Sequence, residues 1–167
     1  MKRIFILFSL GAILLAACGG TAQKPTPVPC VEKPVRGTAA EQALADGAVA
    51  IYERLGEGTC TYDIWVFYPD GRIIGDNYNN VHVEKQVTPA EIITMLEGLR
   101  EVGFWDPLLY STYHQPCNDC YAYYVTVKDN GEVKEVSGVD GGTDTRKEFW
   151  LARGKVSSMA GDFTTGE

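Results

Sequence analysis

The chain has 167 residues, of which 22 are acidic and 15 are basic, and its formal charge is −7. This balance leaves no basic stripe for a nucleic acid, so a nucleic-acid partner is excluded. It also leaves no polybasic patch, so attachment to a membrane by basic side chains is not expected. The length is sufficient for one domain with a single core.

The first 17 residues have the pattern of an export signal. Lys2 and Arg3 precede an apolar run too short to span a bilayer stably, and small residues stand directly before Cys18. This segment resembles a bacterial lipoprotein signal peptide. The resemblance implies that Cys18 carries acyl chains, becomes the first residue of the mature chain, and anchors it outside the cytoplasm on the cell membrane or outer membrane. Removal of Lys2 and Arg3 leaves 13 basic and 22 acidic residues, a formal charge of −9.

Residues 18–44 are predicted to be a linker that follows the lipidated cysteine. Pro25, Pro27, Pro29 and Pro34 are too closely spaced for a helix or a central strand, and favour an extended spacer. Residues 45–160 are predicted to form one globular domain, and residues 161–167 a frayed tail.

The first half of the domain is predicted to contain four strands. Residues 48–55 and 62–68 are rich in β-branched and aromatic side chains, and residues 72–75 return after a turn at residues 69–71. Residues 81–87 are predicted to be a further short strand.

A helix follows, with the clearest start in the chain. Thr88 is predicted to cap it, Pro89 to occupy its first position, and Glu91 to complete a capping box. Apolar residues then recur at helical spacing until Gly103 ends the helix.

The second half is predicted to be a hairpin and a helix. Residues 121–127 and 132–139 flank an Asp-Asn-Gly turn. Val133 and Val136 break strict alternation, which predicts either a bulge or an edge strand. A helix is predicted from Asp144 to about Met159. The whole order predicts an α+β domain: an antiparallel sheet of about five to six strands with two helices packed on one face.

Four cysteines remain after removal of the signal, and an exported chain meets an oxidising compartment. The preferred prediction is two disulfides, Cys117–Cys120 and Cys30–Cys60, among three connectivities. Two alternatives stay open. His114, Cys60, Cys117 and Cys120 are suitable zinc ligands, and Cys117-x-x-Cys120 is a redox pattern, although it lacks the usual strand-then-helix context. We expect no metal and no cofactor.

No catalytic motif stands out. His82 and His114 are the only histidines, and Ser111 and Ser137 lack the context of an activated nucleophile. Asp119, Asp140 and Asp144 lack the spacing of a calcium loop. We therefore expect a protein that is not an enzyme.

Large aromatic side chains form the remaining candidate surface. Trp65 and Phe67 lie on the face of their strand opposite Ile64 and Val66, and Tyr124 is predicted to contribute as well. If helices cover only one face, these aromatics form either a binding patch on the other face or a second small core beneath the long loops.

Several segments together resemble emfourin-type domains, which inhibit thermolysin-like metallopeptidases. They are the strand and glycine-rich turn at residues 51–58, the helix that starts Thr-Pro-Ala-Glu and ends in residues 102–106, the strand at residues 121–127, and the final hairpin and helix. The resemblance implies a protein-binding domain that presents a loop to a peptidase. That loop would be Gly56, Glu57, Gly58 and Thr59, which Cys60 would stiffen if it is disulfide-bonded.

Two functions are thus predicted for a membrane-anchored extracytoplasmic lipoprotein. The first is non-enzymatic protein binding, with inhibition of an extracellular metallopeptidase as its specific form. The second is an envelope binding module that holds a glycan or a protein on its aromatic sheet face.

Overall fold

The computed structural model describes residues 37–56, 61–77, 79–111, 120–142 and 145–161. The helices formed by these residues are too short or too polar to cross a membrane. In chain order the elements are α1 (Thr38–Ala45), β1 (Ala50–Gly56), β2 (Thr61–Phe67), β3 (Arg72–Asn77), β4 (His82–Gln86), α2 (Pro89–Glu101), β5 (Tyr121–Asp129), β6 (Glu132–Val139) and α3 (Lys147–Ala160).

The six strands form one antiparallel sheet in the order β4-β3-β2-β1-β5-β6. β1 and β2 pair from Ala50↔Phe67 to Gly56↔Thr61, and β1 pairs on its other side with β5. The predicted α+β class with a six-stranded antiparallel sheet is therefore confirmed. β1 lies at the centre, so residues at its two ends are flanked by neighbouring strands.

The predicted turns form where the sequence places them. Asn130 and Gly131 have φ values of 49° and 85°, the left-handed pair that a tight β5–β6 hairpin requires. The β5–β6 register runs without interruption from Ala122↔Val139 to Asp129↔Glu132. β6 is thus an edge strand, and the alternative prediction of a bulge is wrong.

The start of α2 is stabilised by the predicted capping box. The Thr88 hydroxyl accepts a hydrogen bond from the Glu91 backbone at 3.3 Å, and the Thr88 backbone N–H donates to the Glu91 carboxylate at 2.8 Å. The bond from the Thr88 backbone lowers the pKa of Glu91, because it favours the ionised carboxylate. The cap orients α2 so that Ile92, Met95 and Leu99 face the sheet.

α2 and α3 cover one face of the sheet, which we call the helix face, as the sequence predicts. Its core contains large, fully buried side chains, including Phe67, Phe104 and Phe149. Each such side chain stabilises the fold by about 1.5–3 kcal/mol relative to an exposed one. α3 begins at Lys147, and its cap residue Arg146 makes no side-chain capping bond.

α1 covers part of the opposite face, which we call the α1 face. Residues 38–44 belong to the predicted linker segment 18–44, whereas in the structure they form most of this helix. Ala40 and Ala43 are buried against Ile51 and Ile64. Alanine has the highest helix propensity, and its small side chain lets the helix approach the sheet closely, which explains why this short helix forms.

Candidate functional site

The predicted aromatic binding face does not form at Trp65 and Phe67. Only 3% of Trp65 and 0% of Phe67 is exposed, and both lie in the core beneath α2 and α3. The expectation that the helices leave these side chains uncovered is therefore wrong. The physical reason is that β2 is apolar on both sides, so its alternation does not indicate which side the helices cover.

Tyr124 lies on the other side of the sheet from Trp65 and Phe67. It pairs across the sheet with Glu53, and 9% of Tyr124 and 1% of Glu53 is exposed. The Tyr62 hydroxyl donates a hydrogen bond to Glu53 Oε1 at 2.9 Å. This part of the α1 face is thus a buried polar cluster, and the three predicted aromatics do not share one surface.

The proposed inhibitory loop connects the two central strands. Gly56 ends β1, where it is paired with Thr61 of β2 and with Tyr121 of β5. Glu57, Gly58 and Thr59 lie outside the described residues. Since Gly56 is buried and held on both sides, the sheet provides a fixed support for this connection.

Cys120 is disulfide-bonded, whereas Cys30, Cys60 and Cys117 lie outside the described residues. Its pairing with Cys117 therefore stays a prediction.

The predicted absence of catalytic chemistry stays a prediction for the whole chain. His82 is exposed on β4, and its Nδ1 and Nε2 lie 2.8 Å and 3.3 Å from carboxylate oxygens of Asp76 and Glu84. Asp140 accepts a hydrogen bond from Tyr123. Within the described ranges, no three His, Cys, Asp or Glu side chains cluster as a metal site. His114, Asp119, Asp144 and the lipidation residue Cys18 lie outside them.

A polar cleft opens where the helix face meets the end of α3. Its volume is about 240 Å³. We call it the Arg153 cleft, and its walls are formed by Tyr52, Arg54, Asp63, Trp65, Arg153, Ser157 and Gly161. It lies at the same end of the sheet as the connection between β1 and β2.

Arg54 and Asp63 form an ion pair at the edge of the Arg153 cleft. They are directly opposite in the β1–β2 register, and Arg54 Nε donates to Asp63 Oδ2 at 2.7 Å. Burial by itself lowers the pKa of Arg54, but the bond and charge of Asp63 more than offset this, so the pKa lies above its ordinary value. Arg54 is therefore held as a cation beside the Asp63 carboxyl group, which largely offsets its charge.

Arg153 is the second cation of the cleft and is held by aromatic groups. Its guanidinium carbon lies 3.9 Å from the centre of the Tyr123 ring and 5.6 Å from that of Trp150. Its Nε donates to the Tyr52 hydroxyl at 3.3 Å. Tyr52 and Tyr123 in turn stack with an interplanar angle of 2°, so the guanidinium has a rigid aromatic support.

Tyr123 links this cluster to Asp140, which follows β6 in the chain. Its hydroxyl donates to Asp140 Oδ2 at 2.7 Å. Burial, and then the bond to Asp140, raises the pKa of Tyr123 well above its ordinary value. The phenol therefore stays neutral, and its ring remains a stable platform for the Arg153 cation.

The Arg153 cleft was not predicted from the sequence, although part of its signal was present. Arg54 and Asp63 are charged residues inside otherwise apolar strand segments, which is a sign of a paired or functional site. Arg153 gave no such signal, because a basic residue in a C-terminal helix is usually solvated.

Comparison with known proteins adds no identification. No protein-family model and no curated protein matches this chain. The likeness to emfourin-type domains thus depends on the sequence segments described above. The arrangement in the cleft offers cationic, anionic, hydroxyl and aromatic groups in fixed positions, which suits it to binding a small polar ligand.

Proposed function

We propose that this protein is a lipid-anchored extracytoplasmic binding protein without enzymatic activity of its own. The observation that carries the proposal is the export signal that ends in small residues directly before Cys18. The Pro-rich segment that follows is suited to hold a domain away from the bilayer. The acidic domain would not adhere to an anionic membrane, so the acyl chains alone would retain it.

The specific form of binding that we propose is inhibition of an extracellular thermolysin-like metallopeptidase. The proposal is supported by the resemblance to emfourin-type domains and by the position of Gly56 between two paired strands. A connection mounted on the two central strands is preorganised at its ends. Preorganisation reduces the ordering cost of binding and so increases affinity.

The anchor is tested by metabolic labelling with a fatty acid in a bacterial host that processes lipoproteins. The wild-type chain should incorporate label and fractionate with membranes, and Cys18→Ala should do neither. Cys30→Ala, which removes a cysteine of the linker, is the matched control and should retain both properties. Label that persists in Cys18→Ala would overturn the assignment of the lipidation site.

Inhibition is tested with the mature chain, in which Cys18→Ser replaces the lipidated residue. Titration into a thermolysin-like peptidase should give stoichiometric loss of peptide cleavage while the added chain stays intact. Glu57→Ala combined with Thr59→Ala should weaken inhibition, whereas Glu97→Ala, exposed on α2, should not. Cleavage of the chain, or full activity at excess, would rule out this form of binding.

A further inference from the structure

The Arg153 cleft contains a cation whose hydrogen-bonding capacity is only partly used. Within the described part of the chain, the hydrogen bond of Arg153 is the one from Nε to Tyr52, and it has no carboxylate partner. Its terminal nitrogens are thus unengaged by these residues. A guanidinium with two adjacent free N–H groups is well shaped to bind a carboxylate with two parallel hydrogen bonds.

The position of this guanidinium is fixed before any ligand arrives. The Tyr123 ring supports it at 3.9 Å, and Tyr52 holds Nε at 3.3 Å. A fixed side chain loses less rotamer entropy on binding than a solvated one. Arg153 is therefore preorganised for an anion, unlike a lysine or arginine on an open surface.

The opposite wall supplies an acceptor. Arg54 directs both Nε and Nη2 at a single oxygen of Asp63, Oδ2. Oδ1 makes no hydrogen bond with the described residues, and Asp63 as a whole is buried. A ligand that binds here would therefore present a donor to Oδ1 and an anion to Arg153.

The charges of the cleft favour a single negative charge over a dianion. Arg54 and Asp63 largely cancel, so Arg153 contributes the net positive charge. Asp140 lies beyond Tyr123, and the carbonyl end of α3 is engaged by Lys85, whose Nζ donates to the Met159 carbonyl at 3.0 Å. A doubly charged phosphate would lie beside Asp63 with only Arg153 to compensate both of its charges.

The size of the cleft restricts the ligand further. A volume of about 240 Å³ is below the range of about 300–1,000 Å³ that is common for drug-sized ligands. It suits one amino-acid residue, whose apolar part would lie against Trp65. We propose that the Arg153 cleft binds the terminal carboxylate of a peptide or amino acid, with Arg153 on the carboxylate and Asp63 Oδ1 on the adjacent N–H.

This inference does not depend on peptidase inhibition or on the lipid anchor. The test uses the mature chain with Cys18→Ser, and its readout is tryptophan fluorescence, because Trp65 lines the cleft. The probes are N-acetyl-dialanine with a free carboxylate, the same compound as its C-terminal amide, and free alanine. The free acid should saturate the signal at millimolar concentration, and the amide should bind at least about tenfold more weakly, since it loses the charge-assisted pair.

Arg153→Gln should weaken binding of the acid by at least about tenfold and remove the preference for acid over amide. Lys155 is an exposed residue of the same helix, and Lys155→Gln changes the net charge by the same amount. This control variant should keep the wild-type affinity for the acid and the wild-type preference for acid over amide. Thermal unfolding of the variants shows whether each is folded, and the acid-to-amide comparison on the wild-type chain stands without any variant.

Three results would overturn the proposal. They are equal affinity for the acid and the amide, no saturable signal with either probe, and an equal loss of affinity in Arg153→Gln and Lys155→Gln. Free alanine separates the two sources of the carboxylate. Binding as tight as that of the acetylated acid indicates a site for amino acids. Much weaker binding indicates a site for peptide C-termini, because the acetyl-alanine portion then contributes.

Discussion

The two faces of the sheet are built differently, although both are buried. The helix face is covered by two long helices and contains large aromatic and aliphatic side chains such as Phe67 and Phe149. The α1 face is covered in part by one eight-residue helix, and it buries polar groups, including Glu53, Thr126 and Ser137. The contrast suggests that the helix face supplies most of the hydrophobic stabilisation, while α1 adds a smaller share.

The largest effect is expected in the centre of the helix face. Phe67→Ala should reduce the free energy of unfolding by about 3–5 kcal/mol, because it removes a fully buried ring and leaves a cavity. Urea denaturation followed by circular dichroism measures this loss. Ile93→Ala, which truncates an exposed side chain on α2, is the control and should change stability by less than about 0.5 kcal/mol.

A smaller loss is expected from α1. Ala43→Asp introduces a carboxylate at the buried side of this helix and should cost about 2 kcal/mol, because the charge must be desolvated or the helix must detach. Ala39→Asp, on the exposed side of the same helix, should have little effect. Hydrogen exchange should show faster exchange confined to α1. A loss of unfolding free energy as large as that of Phe67→Ala would contradict the contrast between the faces.

Two glycines sharpen the comparison, because their alanine variants should change stability in opposite directions. A Cβ added at Gly75 would lie 2.4 Å from the Trp65 ring in the helix face, so Gly75→Ala should cost about 1–3 kcal/mol. A Cβ at Gly154 of α3 meets nothing within 4 Å. Gly154→Ala should stabilise the chain by about 0.5–1 kcal/mol through helix propensity. A loss of stability in both Gly75→Ala and Gly154→Ala would show that α3 packs more tightly than described.

The smallest effect is expected at the exposed edge of the sheet. The hydrogen bonds to Asp76 and then Glu84 raise the pKa of His82 above its ordinary value of 6.5. A raised pKa in the folded state means that this group stabilises the fold at pH values below 6.5, and that the contribution is lost as pH rises through the folded-state pKa. An NMR titration should show this pKa, and Asp76→Asn should lower it. A His82 pKa at or below 6.5 in the wild-type chain would contradict the contact.

Most of the sheet was predictable because its signals are local. The capping box at Thr88 and the Asn-Gly turn at residues 130–131 depend on backbone chemistry that neighbouring residues supply, and both form as expected. The α1 helix was missed because the prolines before it dominated the interpretation of residues 18–44. Its run of alanines, glutamate, glutamine and leucine was nevertheless a helix signal.

The candidate site was harder to predict because it is assembled from distant segments. Arg54 and Asp63 become neighbours through strand register, and Arg153 reaches Tyr123 through the packing of α3 on the sheet. The alternation of side chains along a strand predicts which of them share a face of the sheet. It does not predict which face a later helix will cover. For that reason the sequence predicts either a binding patch or a second small core at Trp65 and Phe67, and not a core beneath α2 and α3.

The position of α1 determines where the chain enters the domain relative to the Arg153 cleft. The chain enters the domain through α1, which packs on one face of the sheet, whereas the Arg153 cleft lies between the other face and α3. In the proposed anchored form, the anchor segment would therefore join the domain on the face opposite the cleft, and a ligand could enter the cleft without passing that segment.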